Sequence, residues 1–523
     1  MRTRYKILTG VIAIILGLFV AAHFILPVFL KSSNFRNKID QMVYDKTGRH
    51  LYIKSAPAVS IFPWVGISLK DITITSPKPF EKVDFAHVDQ IKIKMAVFPL
   101  LTGNVKINNI VLDGAKINLI KNKQGETNYQ QWRNKPDQEI ETAPVATSNP
   151  PQSTAEATET NAPATSAQTG KADTPKRKEL DFKISKLQIT NSAVNYQDNQ
   201  NDKFFEINAF NLAAKKINPN SPFPLTTNFT VKESKNISAK IKSEAIININ
   251  NHGDIITASA FKTTIDLQRK DLPLIPIVIS GDIALQNHTQ ANFNPMAIQI
   301  ANLKTSGKLS ILDLNNPSIK LQIKSEKTDL DELVNTLRGS SFIKGTLQFD
   351  STLSTTLVNK KSLLQNLNGS GKFEIKDGAL LGISLNNFIS QAATILGFPA
   401  TGIKPSKTKE TKFKEVSGTY TIDNGVLKNN DLKLDAEHFT AAGYGSINLP
   451  QQTIQYTLTP SYIHPKTKAE ISLPILISGN MNKPSIKPDY KALGENPTIR
   501  KIKDKIKIYT KDIGSKIGDL FGK

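Results

Sequence analysis

The chain of 523 residues contains no cysteine, which excludes several kinds of site at once. Without a thiol there is no disulfide, no thiolate metal ligand and no cysteine nucleophile. The seven histidines stand singly, and none occurs in a His-Glu-x-x-His pattern or at another metal-ligand spacing. Gly369–Lys372 is not a phosphate-binding loop, because Asn366 stands where that motif requires glycine and Phe373 where it requires Ser or Thr. We therefore expect no cofactor, no metal and no enzymatic activity.

Arginine and aromatic residues are scarce as well. Nine of the 67 basic residues are Arg, so the formal net charge of +22 comes mainly from Lys. Guanine readout and bidentate phosphate binding favour Arg, so we expect no nucleic-acid partner. The Lys surplus indicates attraction to anionic surfaces, or an organism whose proteins are rich in Lys, Asn and Ile throughout. Aromatic content of 7%, with Trp64 and Trp132 as the two tryptophans, argues against a polysaccharide-binding module.

One long apolar run is present, the 24 residues 7–30, which carry no formal charge. A helix needs roughly 20 residues to cross a hydrocarbon core, so we expect a retained membrane anchor. The alternative is a cleaved signal peptide, but apolar residues continue past Ala21 and Ala22, where a peptidase would need the run to stop. Basic residues stand on both sides, so flanking charge does not settle orientation. The candidate anchor residues are Ile7, Val11, Ile15, Leu18, Phe24 and Leu30.

Alternating apolar and polar residues fill most of the remaining chain and predict β-strands with one apolar and one wet face. Asp-Gly pairs at 113–114 and 377–378 and the Asn-Gly pair at 424–425 predict turns between strands. About 25–30 strands spaced ~4.8 Å apart would extend roughly 120–140 Å. The apolar candidates for a groove are Ile91, Ile93, Met95, Ile277, Ile279, Leu321, Ile323, Leu347 and Phe349.

Other segments depart from this alternation. Residues 135–178 are rich in Pro, Ala, Thr and Ser without aromatics, which predicts a disordered linker. Helical spacing predicts short helices at 34–48, 329–337 and 384–396. Near the C-terminus, apolar residues recur every three or four positions among lysines, which is typical of a helix on a membrane surface or in an apolar groove. The interfacial-helix candidates are Ile499, Ile502, Lys505, Ile506 and Lys507.

The apolar faces of so many strands need a cover, and the short helices are too few to provide it. One solution is a second sheet, which gives sandwiches. The other is a sheet that curls and leaves an apolar trough for a ligand. The natural ligand of a trough is a chain of methylenes, because each buried CH₂ contributes about 0.8 kcal/mol. The sequence pattern does not separate these two solutions.

An ordered set of short motifs resembles the AsmA family of membrane-anchored periplasmic proteins. The resemblance covers residues 1–135 and 365–490, and the middle is assigned by its strand pattern. The matching stretches are 47–51 (TGRHL), 60–67 (SIFPWVGI), 98–103 (FPLLTG), 110–114 (IVLDG), 125–129 (GETNY), 367–385, 416–418 (VSG) and 475–489.

This resemblance implies a single-pass inner-membrane protein with its bulk in the periplasm, linked to outer-membrane assembly and lipid homeostasis. It also implies a likeness to bridge-like lipid transfer proteins, whose extended sheets form an apolar groove. The expected fold is therefore mostly β: an N-terminal transmembrane helix followed by an elongated, curved antiparallel β-sheet groove with a few short helices.

The expected domains follow the chain. They are a cytoplasmic tip and anchor (1–32), an AsmA-like N-terminal β domain (33–134), the linker (135–178), a central β-groove (179–364), an AsmA-like C-terminal β domain (365–492) and a basic amphipathic helix (493–523).

We expect the groove to carry or shelter phospholipid acyl chains, with phospholipids, the inner membrane and outer-membrane assembly proteins as partners. The alternative is a structural or chaperone-like adaptor for outer-membrane protein assembly that conducts no lipid. Phospholipid class, direction of movement and energy source do not follow from the residues.

Overall fold

The protein is mostly β, with one long, curved, open sheet and few helices. The computed structural model describes residues 32–60, 64–96, 107–129, 180, 182–233, 236–357, 363–395, 409–463, 468 and 470–489. Within these ranges the sheet has 24 strands. The predicted fold class is thus confirmed for the sheet, whereas the predicted anchor and the predicted C-terminal helix lie outside the described residues.

The helices are α1 (Ser33–Thr47), α2 (Leu330–Arg338) and α3 (Leu385–Ile395). The first twelve strands are β1 (Leu51–Ile53), β2 (Ala58–Ser60), β3 (Trp64–Ile74), β4 (Ala86–Ala96), β5 (Ile107–Lys121), β6 (Ile184–Asp198), β7 (Lys203–Ile217), β8 (Phe223–Glu233), β9 (Ile237–Ile249), β10 (Ile255–Arg269), β11 (Ile275–Gln286) and β12 (Gln290–Ile300). The others are β13 (Leu303–Leu312), β14 (Ser318–Ser325), β15 (Thr328–Asp329), β16 (Ile343–Thr356), β17 (Asn368–Leu381), β18 (Glu410–Asp423), β19 (Val426–Asp435), β20 (Thr440–Asn448), β21 (Thr453–Ile463), β22 (Glu470–Ser472), β23 (Ile475–Asn480) and β24 (Ser485–Pro488).

Each strand pairs with its neighbours along the chain, so the sheet grows as a meander. Strands β1 and β2 both pair with β3, β14 and β15 both pair with β16, and β22 and β23 both pair with β21. Each of these pairs shares one position in the sheet. The 24 strands therefore occupy fewer positions than their number, and at ~4.8 Å per position the sheet extends about 100 Å. This is shorter than the expected 120–140 Å.

The sheet is antiparallel, as predicted, with one parallel junction among the described strands. Strand β5 pairs with β6 in parallel, from Ile107 with Ile184 to Lys121 with Asp198. A parallel neighbour requires the chain to return along the strand, here about 50 Å for 15 residues. The predicted linker 135–178 stands in this connection. The junction therefore gives a topological reason for a long segment at this place in the chain.

Two predicted turns are wrong, because their residues lie inside strands. Gly114 (φ 63°) lies within β5, whose pairing with β4 keeps one register on both sides of it. Asp377 (φ 51°) lies within β17, at a bulge in its pairing with β16. The left-handed conformation that suits Asp-Gly to a hairpin also suits it to a bulge. The Asn424-Gly425 turn is confirmed between β18 and β19.

Bulges recur from strand to strand at neighbouring positions. The pairing shifts between Ile189 and Ser192 on β6, and similar shifts follow on β7, β10, β11 and β12. Side chains satisfy the interrupted ladder: Asn191 N donates to Asn211 Oδ1 at 3.1 Å, and Ala260 N donates to Asp282 Oδ1 at 2.9 Å. Because a bulge bends its strand, a line of them bends the whole sheet along its length.

The three helices agree with the predicted ones to within a few residues. Helix α1 ends before Gly48 (φ 68°), whose N–H donates to Tyr44 O at 2.7 Å. Helix α2 begins after Asp329, whose side chain accepts a hydrogen bond from Glu332 N, and ends before Gly339 (φ 80°). In the described part of the chain, no helix has the length and apolarity needed to cross a membrane.

A glycine at the line of bulges tests whether the bend is sterically required. At Gly281 (φ 143°) an added Cβ would lie 1.9 Å from Pro295 O, whereas at Gly479 (φ 101°) it would meet no atom within 4 Å. We expect Gly281→Ala to lower the free energy of unfolding by about 3 kcal/mol and Gly479→Ala by about 1 kcal/mol. Urea denaturation of the two variants measures the difference, and equal losses would show that the bend tolerates a side chain.

Candidate functional site

The pairing register joins the apolar side chains of successive strands into continuous rows. Directly paired residues of neighbouring strands project on the same side of a sheet. One row runs from β8 to β16 without a polar side chain. Its members are Phe223, Ile247, Ala258, Ile283, Phe293, Leu309, Leu321 and Leu353.

A second row joins the N-terminal strands to the central ones. It places Ile91 of β4 and Ile279 of β11 on one face, although 188 positions separate them in the sequence. Its members are Leu69, Ile91, Leu112, Ile189, Leu212, Thr227, Ser243, Thr263, Ile279 and Ile298.

All nine predicted groove residues lie on this one face. Ile93 and Met95 follow Ile91 at steps of two on β4, and Ile277 precedes Ile279 on β11. Ile323 follows Leu321 on β14 in the same way. On β16, Leu347 and Phe349 share the alternation of Leu353 in the first row. That these residues contact lipid stays a prediction.

The face is uncovered over the central strands. On β14, Leu321 and Ile323 are half-buried, whereas Lys320, Gln322 and Lys324 between and beside them are exposed. Within the described ranges, strands contact their neighbours in the ladder, and the main helix contacts involve β1, β15, β16, β18, β21 and β22. No second sheet packs on the face in this part of the chain. The arrangement is therefore the open trough and not the sandwich. We name this face of β3–β14 and its continuation onto β16 the groove.

Helices α2 and α3 cover one wall at the C-terminal end of the sheet. Leu385, Ile389 and Ala393 of α3 are almost fully buried, in one cluster with Ile375 and Leu434. Helix α2 lies at the strand ends beside it: Asn302 Nδ2 donates to Asp329 O at 2.9 Å, and a guanidinium nitrogen of Arg269 donates to Leu337 O. We name this row of strand ends, from Arg269 of β10 to Ile463 of β21, the helix lip.

In the C-terminal strands, two tyrosine rings pack directly against the backbone of glycines on neighbouring strands. A Cβ at Gly371 would lie 2.5 Å from the Tyr420 ring, and Cβ atoms at Gly443 and Gly445 would lie 2.9 Å and 2.6 Å from Tyr456. The Tyr420 hydroxyl bonds to Ser351 Oγ, and the Tyr456 hydroxyl donates to Asn429 Oδ1. Burial raises the pKa of Tyr456 to about 12. The sequence analysis missed this packing of tyrosine on glycine. The Gly-x-Gly sequences at 369–371 and 443–445, inside predicted strands, could have indicated it.

Three hydroxyls interrupt the second row at β8–β10. Thr227, Ser243 and Thr263 are paired neighbours, and Thr263 Oγ1 donates to Ser243 Oγ at 2.8 Å. A hydroxyl that is hydrogen-bonded to another hydroxyl costs much less under hydrocarbon than an unpaired one. The pair thus limits the polarity that the groove floor presents. These hydroxyls were also missed, because threonine is an ordinary strand residue.

A buried arginine links three segments near the N-terminal strands: the one before β1, the one before β4 and the one after β5. Arg49 is 2% exposed, its Nη2 donates to Asn128 O at 2.5 Å, and its guanidinium lies 3.9 Å from the Phe85 ring centroid. Burial lowers the pKa of Arg49. Asn128 in turn accepts from Ile120 N at 2.8 Å. Two of the motif stretches quoted above, 47–51 and 125–129, therefore meet at this contact.

Among the described residues, no group of three or more His, Asp or Glu side chains could hold a metal ion. The groove offers aliphatic and aromatic surface with a few paired hydroxyls. Its chemistry is that of apolar binding.

The fold and the groove define a class of protein: a single-layer, open β-sheet with one uncovered apolar face. The sequence model of the AsmA family matches residues 1–313 and 286–432, and the chain belongs to that family. The two matched ranges together include the whole middle segment, which motifs alone did not assign. No curated protein and no solved structure matches the chain.

Two leucines on the same face test whether the groove is open. Leu434 is 3% exposed beneath α3, whereas Leu321 is half-buried with no cover. We expect Leu434→Ala to cost roughly 3 kcal/mol of unfolding free energy, and Leu321→Ala about 1 kcal/mol because much of its surface meets solvent already. Urea denaturation of the two variants measures both losses of unfolding free energy. A cost at Leu321 as large as at Leu434 would mean that the groove is a packed core.

Proposed function

We propose that the groove carries or shelters phospholipid acyl chains, and that the protein transfers lipid without enzymatic chemistry. The observation that carries this proposal is the unbroken row from Phe223 to Leu353, which crosses the central strands with no cover in the described residues. Membership of the AsmA family and the large open sheet support a bridge-like lipid-transfer role.

Hydrocarbon suits this surface energetically. Each methylene that leaves water gains about 0.8 kcal/mol, so one acyl chain along a few strands is held without specific polar contacts. The head group stays in water beyond the edge of the groove. Because one row of the groove resembles the next, an acyl chain can move from strand to strand without a large barrier. Such movement requires an apolar path and no bond-breaking step.

The proposed setting is the cell inner membrane, with residues 7–30 as a single-pass anchor and the sheet in the periplasm. The outcome would be support of outer-membrane lipid homeostasis and assembly. A sheet of about 100 Å suits a partial bridge or a shuttle. The basic segment with Ile499, Ile502 and Ile506 would then bind a membrane surface at the C-terminal end.

Photocrosslinking with matched positions tests this function. Ile323 and Gln322 are adjacent on β14 but face opposite sides, and Ile93 and Lys94 are such a pair on β4. A photoreactive residue at Ile323 or Ile93 should form phospholipid adducts in cells, because it points into the groove. The same residue at Gln322 or Lys94 is the control and should form few. Mass spectrometry identifies the adducts.

Each other result of this experiment counts against the proposal. Lipid adducts at neither groove position contradict it. Equal adducts at the groove and control positions would indicate non-specific labelling. Protein adducts without lipid would favour the alternative, a chaperone-like adaptor that binds envelope proteins.

A charge in the groove should block the path while the fold persists. Ile323→Asp places a carboxylate where an acyl chain would pass, and an unpaired charge in hydrocarbon is costly. Because Ile323 is half-buried with no cover, we expect the variant to fold with little loss of stability. Lipid co-purifying with the variant, measured by native mass spectrometry, should fall several-fold, whereas Gln322→Asp should leave it unchanged. Equal lipid in the two variants would contradict a groove at this position.

A further inference from the structure

A cavity opens at the edge of the sheet where the helix lip begins. It lies among the ends of β7, β8, β9 and β10, and its volume of about 800 Å³ is within the range of small-molecule sites. We name it the strand-end cavity. Its lining includes Phe204, Lys232, Ile237, Ser238, Arg269 and Lys270.

Hydrogen bonds hold the wall of this cavity in place. Lys270 N donates to Asn236 O at 2.8 Å, which joins the turn after β10 to the start of β9. Gln268 Nε2 donates to Arg269 O and Leu272 O, both at 2.9 Å, so the same turn is closed on itself. Arg269 also binds the last turn of α2 through its guanidinium. The lining residues are therefore positioned before a ligand arrives.

The strand-end cavity joins the groove to the wet face of the sheet. Ile237 and Arg269 are directly paired, and Ile237 lies at even steps from Ser243 of the second row, on the groove side. Lys232 pairs with Ser238 on the opposite face. A ligand in this cavity thus contacts cations of the wet face and the edge of the groove at once.

An apolar path leads from the cavity into the groove. The next pairs on the groove side are Ala239 with Leu267 and Ile241 with Ile265, and all four residues are half-buried. The stretch from Ile237 to Ile241 extends about 13 Å. An acyl chain that enters over Ile237 therefore meets hydrocarbon from its first carbons.

The charges of the lining favour a phosphate group. Lys232, Arg269 and Lys270 line the cavity together with the carboxylates of Asp202 and Asp271, so cations outnumber carboxylates by one. None of the three cations is in an ion pair within the described residues. Lysine and arginine bind phosphate oxygens through charge-assisted hydrogen bonds.

Two further observations favour a phosphate that belongs to an amphiphile. Phe204 is 42% exposed and Ile237 is 37% exposed, and free phosphate would leave both apolar side chains in water. Arg269 Nε is shielded from solvent and has no hydrogen-bond partner among the described residues. A buried donor without an acceptor is uncommon, and a phosphate oxygen is an acceptor of the kind it lacks.

We propose that the strand-end cavity binds the phosphodiester of a phospholipid head group, with the acyl chains reaching the groove over Ile237. Lys232, Arg269 and Lys270 donate to the phosphate oxygens, and the chains lie along the apolar path. The inference rests on the proposed function for the place of the acyl chains. Phosphate binding depends only on the cavity, so the two claims can fail separately.

Photocrosslinking at the cavity tests the ligand class. A photoreactive residue replaces Ile237 or, as the control, Ile255, which is also the first residue of a strand and 42% exposed but lies at the opposite edge. The full-length protein in a mild detergent is mixed with dioctanoyl phosphatidylglycerol or with dioctanoylglycerol, which has the same chains and no phosphate. We expect several-fold more phosphatidylglycerol adduct at Ile237 than dioctanoylglycerol adduct, and few adducts at Ile255. Equal labelling by the two lipids, or at the two positions, would overturn the proposal.

Lysine variants test the contacts with phosphate. Lys232→Gln with Lys270→Gln removes two of the three cations and should raise the apparent Kd for dioctanoyl phosphatidylglycerol, titrated through the Ile237 adduct, several-fold. Lys240→Gln with Lys320→Gln, both exposed on the wet face away from the cavity, makes the same change of charge and should leave this Kd unaltered. An unaltered Kd in the first variant, or an equal rise in both, would refute the site.

Two further arms identify the source of the phosphate and separate the site from the groove. Inorganic phosphate that displaced the lipid as well as unlabelled phosphatidylglycerol does would refute a lipid ligand, whereas weak displacement supports it. Adducts at Ile323 without lysine-dependent adducts at Ile237 would leave the groove function standing and refute the head-group site. Lysine-dependent adducts at Ile237 with none at Ile323 would leave phosphate binding standing and refute carriage along the groove.

Discussion

The register between neighbouring strands is the constraint on which the molecule depends. A strand places alternate residues on opposite faces, so a slip of one residue would move every apolar side chain of that strand to the wet face. Rows such as Phe223 to Leu353 exist because each pairing keeps apolar opposite apolar. The bulges shift this pairing at neighbouring positions, so that the rows continue beyond them. One face of the sheet is therefore apolar across strands that are distant in sequence.

Two further properties determine whether the apolar face can bind a ligand: the curvature of the sheet, and whether helices pack on that face. Recurrent bulges bend the sheet along its length, and a bent sheet with one apolar face is a trough. Helix α3 closes part of this face with Leu385, Ile389 and Ala393, which gives the C-terminal end a packed core. Over β8–β14 the described residues provide no such cover. The same alternation thus builds a core at one end and an open surface in the middle.

Much of this could be predicted from sequence, because alternation reports directly on which side chains share a face. It placed all nine groove candidates on one side, and helical spacing at 329–337 located α2. It could not distinguish trough from sandwich, because the pattern defines a face and not its cover. Asp377-Gly378 gave a wrong turn, since a bulge and a hairpin use the same left-handed backbone. The parallel β5–β6 pairing could not be predicted, because it joins strands that are far apart in sequence and no short motif near either strand indicates it.

The central claim is that these apolar rows form one uncovered channel filled by lipid tails. A cryo-electron microscopy map of the full-length protein, purified with its native lipid in a mild detergent, tests this most directly. The account predicts elongated density along the rows through Ile279, Leu321 and Leu353, with no protein layer above them. A map in which a second layer of protein packs on that face, and no lipid density remains, would contradict it.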